Sequence, residues 1–176
     1  DYLIKDEIEG KMLGRSIRYA IERHRIMADL AATKARLEEI AALDPLTDLF
    51  NRRGLEKALG RELQRANVKG SKLFAALIDL DDFTRINDQF GFMTGDIVLK
   101  EVAKQLEKTM RPSDYLSRIG RDEFLVLLPE TRLVEAMKVA DTLRLVVGDS
   151  VIVLPSGPVH LTASIGVAEV SQESVS

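Results

Sequence analysis

Five acids in two short stretches carry the residue types for metal-assisted chemistry. Asp79 lies near the end of the apolar run Leu73–Leu80, with Asp81 and Asp82 just beyond it; Asp122 and Glu123 stand in SRIGRDEFLVLLP (117–129), at the mouth of a second apolar run. If the two runs pair as neighbouring strands, Asp79 meets Asp122 and Glu123 at one edge. Carboxylates gathered there repel one another unless a hard cation neutralises them. Mg2+ or Mn2+ takes oxygen ligands of this kind, a backbone carbonyl such as that of Leu80 included. Two such ions would clamp the attacking and leaving oxygens of a phosphoryl transfer. The plainer alternative is that Asp81 caps the following helix and the others are solvated acids at strand ends.

Two further pairs accompany them. Asn87 and Asp96 bracket QFGFMTG (89–95). A carboxylate can accept from the N1–H and N2–H2 donors of guanine while an amide serves O6 or N3, so the pair could read that base; alternatively Asp96 merely favours the positive end of the next helix. Arg111 and Asp114, in the loop Arg111-Pro-Ser-Asp114, could bind a guanine nucleotide, Arg on phosphate or base and Asp on the guanine edge. Equally, Arg111 could be an ordinary cation at a helix C-terminus. His24 and His160 have no neighbouring ligand set and read as surface or packing histidines.

The elements that must position these residues follow from periodicity and breakers. Residues 9–41 read as one long helix. Its first apolar stripe runs Leu13, Ile17 and Ala20, then His24 and Met27; a second, Leu30, Thr33, Leu37 and Ile40, is offset by about 100°. Either the first half packs on a globular neighbour and the second on a partner helix, or the whole helix lies on its own domain. Asp44-Pro45 breaks it. Thr47 or Asn51 caps a second helix with the stripe Leu55, Leu59, Leu63 and Ala66. The run Leu73–Leu80 reads as a central strand covered on both faces. A short helix over 83–90 follows, Gly91 and Gly95 frame a turn, and Ile97–Met110 is an amphipathic helix. A hairpin joins Tyr115–Ile119 to Phe124–Leu128 through a type II′ turn with Gly120 in its positive-φ place and Arg121 beside it. A helix over 133–147 starts behind Thr131 as cap, and strands lie near 151–154 and 159–170. The expected fold is an α/β (α+β) sandwich: a mixed sheet flanked by helices, with a long N-terminal helix.

Composition bounds the partners. A chain of 176 residues with 45% apolar and 30% charged residues suits one soluble domain with an appendage. A formal charge of −3 gives no broad attraction to nucleic acid or an anionic membrane. No apolar run reaches the ~18 residues of a spanning helix. The absence of cysteine excludes disulfides and thiolate metal sites, and a reducing cytoplasm is the expected setting.

Four stretches together resemble the GGDEF family of diguanylate cyclase domains: DPLTDLFNRRGL (44–55), ALIDLDDFTRINDQFGFMTGD (76–96), RPSDYLSRIGRDEF (111–124) and LTASIGVA (161–168). The resemblance runs from Asp44 to about Val170. It implies a palm-like fold shared with nucleotidyl cyclases, and a reaction in which two GTP molecules become cyclic di-GMP and two pyrophosphates across two domains meeting face to face. By position, Asp79, the Leu80 carbonyl, Asp122 and Glu123 would hold Mg2+ or Mn2+. One of the two hairpin acids would also help deprotonate the 3′-hydroxyl. Asn87 and Asp96 would read guanine, Gly120 and Arg121 would border the substrate, and Arg111 and Asp114 would form the RxxD inhibitory site that takes product.

Departures from the family pattern are specific. Its FK is Phe83-Thr84 here, its GH is Gly91-Phe92, and its second signature glycine is Arg121. The resemblance also implies a further helix, with a Lys and an Arg aimed at phosphates, beyond Ser176. Fewer charge-assisted phosphate contacts weaken binding and transition-state stabilisation, and the chain as given, without that helix, is expected to be inactive. The alternative implied is a degenerate module that binds GTP or cyclic di-GMP and signals by contact.

At the other end, DYLIKDEIEG followed by LGRSIRYAIERHR resembles the last strand, switch lysine (Lys5) and final helix of a response-regulator receiver domain. The organisation expected is a receiver tail over 1–26, a helical linker over 27–43 and the GGDEF domain over 44–176. That makes the chain a fragment of a protein answering to a histidine kinase, and a homodimer through the helix or face to face.

Overall fold

The computed structural model describes residues 19, 21–27, 42–154 and 157–171. The chain divides into two units, 1–40 and 41–176. In the first, residues 21–27 are helical and exposed, His24 and Met27 among them. The long helix beyond that segment, the stripe Leu30–Ile40, the earlier positions Leu13 and Ile17, and Lys5 lie outside the described residues.

The second unit begins with a fastened loop. Asp44 accepts from the Thr47 amide at 3.0 Å and from its hydroxyl at 2.7 Å. Asn51, rather than Thr47, caps helix α1 (Arg52–Lys69), accepting from the Gly54 amide at 3.0 Å. Strand β1 (Leu73–Leu80) follows, then α2 (Phe83–Phe90), α3 (Phe92–Thr109), β2 (Tyr115–Arg118), β3 (Glu123–Pro129), α4 (Leu133–Gly148), the short strands β4 (Ile152–Leu154) and β5 (Gly157–Val159), and β6 (Ala163–Glu169). The expected strand over 159–170 is thus two, belonging to different sheets.

The main sheet has the order β2-β3-β1-β6, and all three pairings are antiparallel. The mixed character expected of it is confined to an isolated parallel bridge from Phe50 to Ser117. β4 and β5 form a separate antiparallel pair. The α+β class holds: an antiparallel sheet with helices on its faces.

Alternation along β1 sets what the sheet can display. Phe74, Ala76, Ile78 and Leu80 are buried with Phe124, Val126 and Leu128 of β3 under α2, α3 and α4, whose Ile86, Val102, Leu106 and Leu143 complete the main core. On the opposite face, α1 sets Leu55 and Ala58 against Leu73 and Leu127. That cover fades along the strand: Leu73 is 1% exposed, Leu77 is 42% exposed, and Asp79 is exposed. β1 is therefore central but covered on both faces only over its first half. The open half carries the acid.

Three local expectations change. Helix α3 starts at Phe92 because the stretch after Gly91 is itself helical; Gly91, at φ 83°, makes the corner between α2 and α3, and Gly95 lies inside α3. Arg132 stands at the N-cap of α4, its amide donating to Glu135 at 3.1 Å, while the Thr131 hydroxyl turns back to the Pro129 carbonyl. In the β2–β3 hairpin both Ile119 and Gly120 donate to the Glu123 carbonyl, at 3.0 and 3.4 Å, leaving Gly120, Arg121 and Asp122 in the bend. Gly120 has no positive φ, so the two-residue II′ turn is replaced by a longer one.

Candidate functional site

Strand register brings the first group of acids together. Asp79 of β1 pairs with Glu123 of β3 on one side and Ser164 of β6 on the other. Directly opposed residues share a face of the sheet, so Asp79 and Glu123 stand on the face that α1 leaves open. The Leu80 amide donates to the Asp122 carbonyl at 3.2 Å, joining the end of β1 to the bend. Among the described residues, no hydrogen bond or ion pair engages the side chains of Asp79, Asp122 or Glu123.

Asp81 does something else. It does not cap α2; Asp82 stands at that N-cap, without a side-chain bond. The Asp81 carboxylate accepts from the hydroxyls of Thr162 at 2.5 Å and Ser164 at 2.7 Å, and its amide donates to the Thr162 carbonyl at 2.9 Å. Those hydroxyls hold its carboxyl below the ordinary aspartate range, against a small opposing effect of burial. Asp81 is the fastener between β1 and β6, a role for which the sequence offered only the Thr and Ser of LTASIGVA as a signal.

No group of three or more His, Cys, Asp or Glu side chains among the described residues is gathered closely enough to enclose an ion. The donor set is instead a partial, oxygen-only shell: opposed Asp79 and Glu123, with Asp122 and the Leu80 backbone alongside. That set fits Mg2+, which keeps waters and substrate phosphates among its ligands rather than a full protein cage.

Two glycines make room for two of these side chains. A Cβ on Gly120 would lie 2.2 Å from Glu123 Oε2 and 3.2 Å from Glu123 Cβ, so the Glu123 carboxylate folds over the bare Gly120 backbone. A Cβ on Gly95 would lie 2.0 Å from Asn87 Oδ1 and 3.2 Å from Phe83 Cζ. Asn87 of α2 therefore rests its amide on Gly95 of α3, beside Asp96. Asn87 is 6% exposed, yet its side chain has no hydrogen-bond partner among the described residues. Its amide atoms still reach solvent, since the buried unpartnered side-chain atoms among the described residues are Ser71 Oγ and Arg118 Nε, so the amide is open to a ligand edge.

The Arg111–Asp114 pair is built as a closed loop. The Arg111 amide donates to Asp114 Oδ2 at 3.0 Å and the Asp114 amide to the Arg111 carbonyl at 3.0 Å. Arg111 borders a cleft of about 280 Å3 with Glu135, Lys138 and Thr142 of α4. Asp114 lines a different one, of about 400 Å3, with Leu43, Phe50 and Glu107, which Arg111 also borders.

Sequence reasoning overlooked Arg118. It pairs with Asp44 at 3.1 Å, the two side chains being 13% and 18% exposed, and a second nitrogen donates to the Arg121 carbonyl at 2.7 Å. A lone arginine closing a four-residue strand was the available sign. Arg121 itself is exposed, and no side chain among the described residues pairs with its guanidinium. His160, also exposed, borders a cleft of about 440 Å3 with Arg85, Gln89 and Phe90.

Residues 41–176 match the family described as "Diguanylate cyclase, GGDEF domain". The chain is 37% identical over 165 residues to the diguanylate cyclase DgcP of Pseudomonas aeruginosa, covering 92% of this chain and 24% of that protein. It is 34% identical over 173 residues to the response regulator PleD of Caulobacter vibrioides, covering 97% and 38%. Among solved structures it resembles the coiled coil and GGDEF domain of DgcB from Caulobacter crescentus, in complex with c-di-GMP, with a TM-score of 0.75 at 25% identity, over 90% of this chain and 84% of that one. The chain thus spans 24% and 38% of the length of those two sequence relatives. No helix among the described residues is long and apolar enough to cross a membrane. The match over 41–176, with relatives 37% and 34% identical, shows the family: the chain belongs to the GGDEF family of diguanylate cyclase domains.

Proposed function

We propose that this domain binds GTP and carries out the family condensation, two GTP giving cyclic di-GMP and two pyrophosphates across a pair of domains. The observation that carries the reading is the Asn87 amide, unpartnered among the described residues and resting on Gly95, the residue before Asp96. Such a pair takes the edge of a guanine, Asp96 accepting from N1–H and N2–H2. The ribose 3′-oxygen of each GTP attacks the α-phosphorus of the other; in each of the two displacements the bond from that phosphorus to the oxygen bridging to the β-phosphate breaks, and pyrophosphate leaves with that electron pair. A hairpin carboxylate, Asp122 or Glu123, takes the hydroxyl proton. Asp79, Glu123, Asp122 and the Leu80 carbonyl would hold Mg2+ or Mn2+, which supplies Lewis-acid stabilisation of phosphate charge.

In the same reading the domain works as a homodimer, through the N-terminal helix or face to face, in the cytoplasm. Residues 1–26 are the tail of a receiver addressed by a histidine kinase, and 27–43 the linker. The test is incubation of the full-length protein with GTP and Mg2+, with product identified by mass spectrometry and binding by calorimetry. Cyclic di-GMP formed in proportion to protein is expected; neither product nor GTP binding would overturn the reading.

One set of observations favours a second reading, a product-binding regulatory module. Thr84, Phe92 and Arg121 depart from the family pattern, while Arg111 remains exposed at a cleft with Lys138. That reading expects cyclic di-GMP binding that Arg111→Ala abolishes, without turnover of GTP.

A further inference from the structure

Phe92 is 74% exposed at the start of α3, a costly place for a phenyl ring. It lies four residues before Asp96, so the two share a helix face, and the Cα–Cβ bond of Asp96 tilts back toward the turn that carries Phe92. Gly95, on which the Asn87 amide rests, lies between them in the chain. Met93, 85% exposed, and Ile97, 48% exposed, repeat the same spacing one position on and extend the apolar rim. Hydrogen bonds to the edge of a purine leave both of its π faces unserved, and an aromatic ring next to the reading pair serves one of them.

We propose that Phe92 is the stacking platform for the guanine base whose edge Asn87 and Asp96 read, an inference that rests on the proposed GTP binding. The chemistry is consistent with what surrounds it. Thr84 supplies no cation to the triphosphate, and a base–aromatic contact adds affinity at the other end of the same nucleotide. Stacking of this kind changes affinity by roughly fivefold to a hundredfold per base.

The chain contains no tryptophan, so Phe92→Trp introduces a single indole whose emission a stacked guanine quenches. The probe is the α,β-methylene analogue of GTP, which binds without turnover. Saturable quenching is expected, with the matching adenine analogue leaving the emission unmoved. By calorimetry, Phe92→Ala should bind the guanine analogue about tenfold more weakly, Phe92→Leu nearly as weakly, and Phe92→Tyr close to the parent. With GTP as substrate, the loss in Phe92→Ala should fall on KM more than on kcat. Unmoved emission while the analogue binds, or Phe92→Ala or Phe92→Leu within twofold of the parent, would overturn the inference alone. Failure of the parent chain to bind the analogue at all would overturn the proposed GTP binding and this inference with it.

Discussion

Arg118 and Asp44 meet at 3.1 Å, and the same guanidinium donates to the Arg121 carbonyl at 2.7 Å. One side chain therefore ties the loop that leads into α1 to the bend that carries Asp122 and Glu123. The backbone repeats the link: the Arg118 amide donates to the Phe50 carbonyl at 2.8 Å. The tie is not saturated, since Arg118 Nε is buried without a partner. Its net contribution therefore lies between that of an exposed pair and that of a fully buried one.

Removing either partner should separate stability from site geometry. Arg118→Ala leaves Asp44 half-buried and unpaired, and is expected to cost about 2 kcal/mol in urea unfolding. It also releases the Arg121 carbonyl, so product formation per folded molecule should fall at least fivefold. Arg118→Lys, with a single ammonium in place of a fork, should recover part of the stability and little of the activity. Activity per folded molecule equal to the parent in both variants would make the tie purely structural.

Asp44 also sets a pH dependence. Burial raises its carboxyl, but hydrogen bonds from the Thr47 hydroxyl, the Arg118 guanidinium and the Thr47 amide outweigh that and lower it overall. A carboxyl depressed on folding adds stability that is complete above its unfolded pKa of about 4 and lost as pH falls through the folded value. Urea midpoints should thus drop more steeply below about pH 4 in the parent than in Asp44→Asn, which is already less stable at neutral pH. Parallel curves would show that Asp44 is not the group responsible.

The two close-packed glycines give a paired prediction. Gly95→Ala places a methyl where Asn87 Oδ1 now lies, at 2.0 Å, so the amide must leave its position. Alanine suits a helix interior better than glycine by about 1 kcal/mol, which offsets the crowding against Phe83. GTP affinity should fall tenfold or more with Tm within a few degrees. Gly120→Ala meets the Glu123 carboxylate and also crowds Glu123 Cβ at 3.2 Å. It should reduce kcat more than nucleotide affinity, measured by turnover and calorimetry on the same preparations. The reverse pattern would exchange the roles assigned to Asn87 and Glu123.

The order of elements was legible because periodicity and breakers are local properties of the chain: LFAALIDL announces β1, and Gly91 announces the corner before α3. Asp79 could be placed near Asp122 and Glu123 because antiparallel neighbours fix register. What was not legible depends on non-local closure. Asp81 resembles a cap in the sequence, but its hydroxyl partners lie just before and within β6, more than eighty residues away. Gly120 resembles a positive-φ turn residue, yet the bend needs it for the room that Glu123 occupies. The partial cover of β1 follows from where α1 crosses the sheet, which the apolar stripe of α1 does not specify.

Arg121 is the residue on which the proposed substrate site turns. It sits in a bend closed by backbone hydrogen bonds, with Gly120 outside the left-handed region, so its side chain is not needed to form the turn. Its guanidinium is exposed and pairs with neither neighbouring acid, Asp122 nor Glu123, leaving its donors available to an anion. With Thr84 in place of a cation, the expectation is that Arg121 serves the triphosphate of GTP. Arg121→Gly should then weaken GTP binding by about tenfold, the size of a charge-assisted contact of about 1.4 kcal/mol. It should also flatten the loss of affinity with added salt, because one fewer cation faces the phosphates. Arg121→Lys should restore part of both effects. Tighter binding by Arg121→Gly would instead mean that the side chain fills space the nucleotide needs. Calorimetry at two salt concentrations distinguishes the two outcomes by sign.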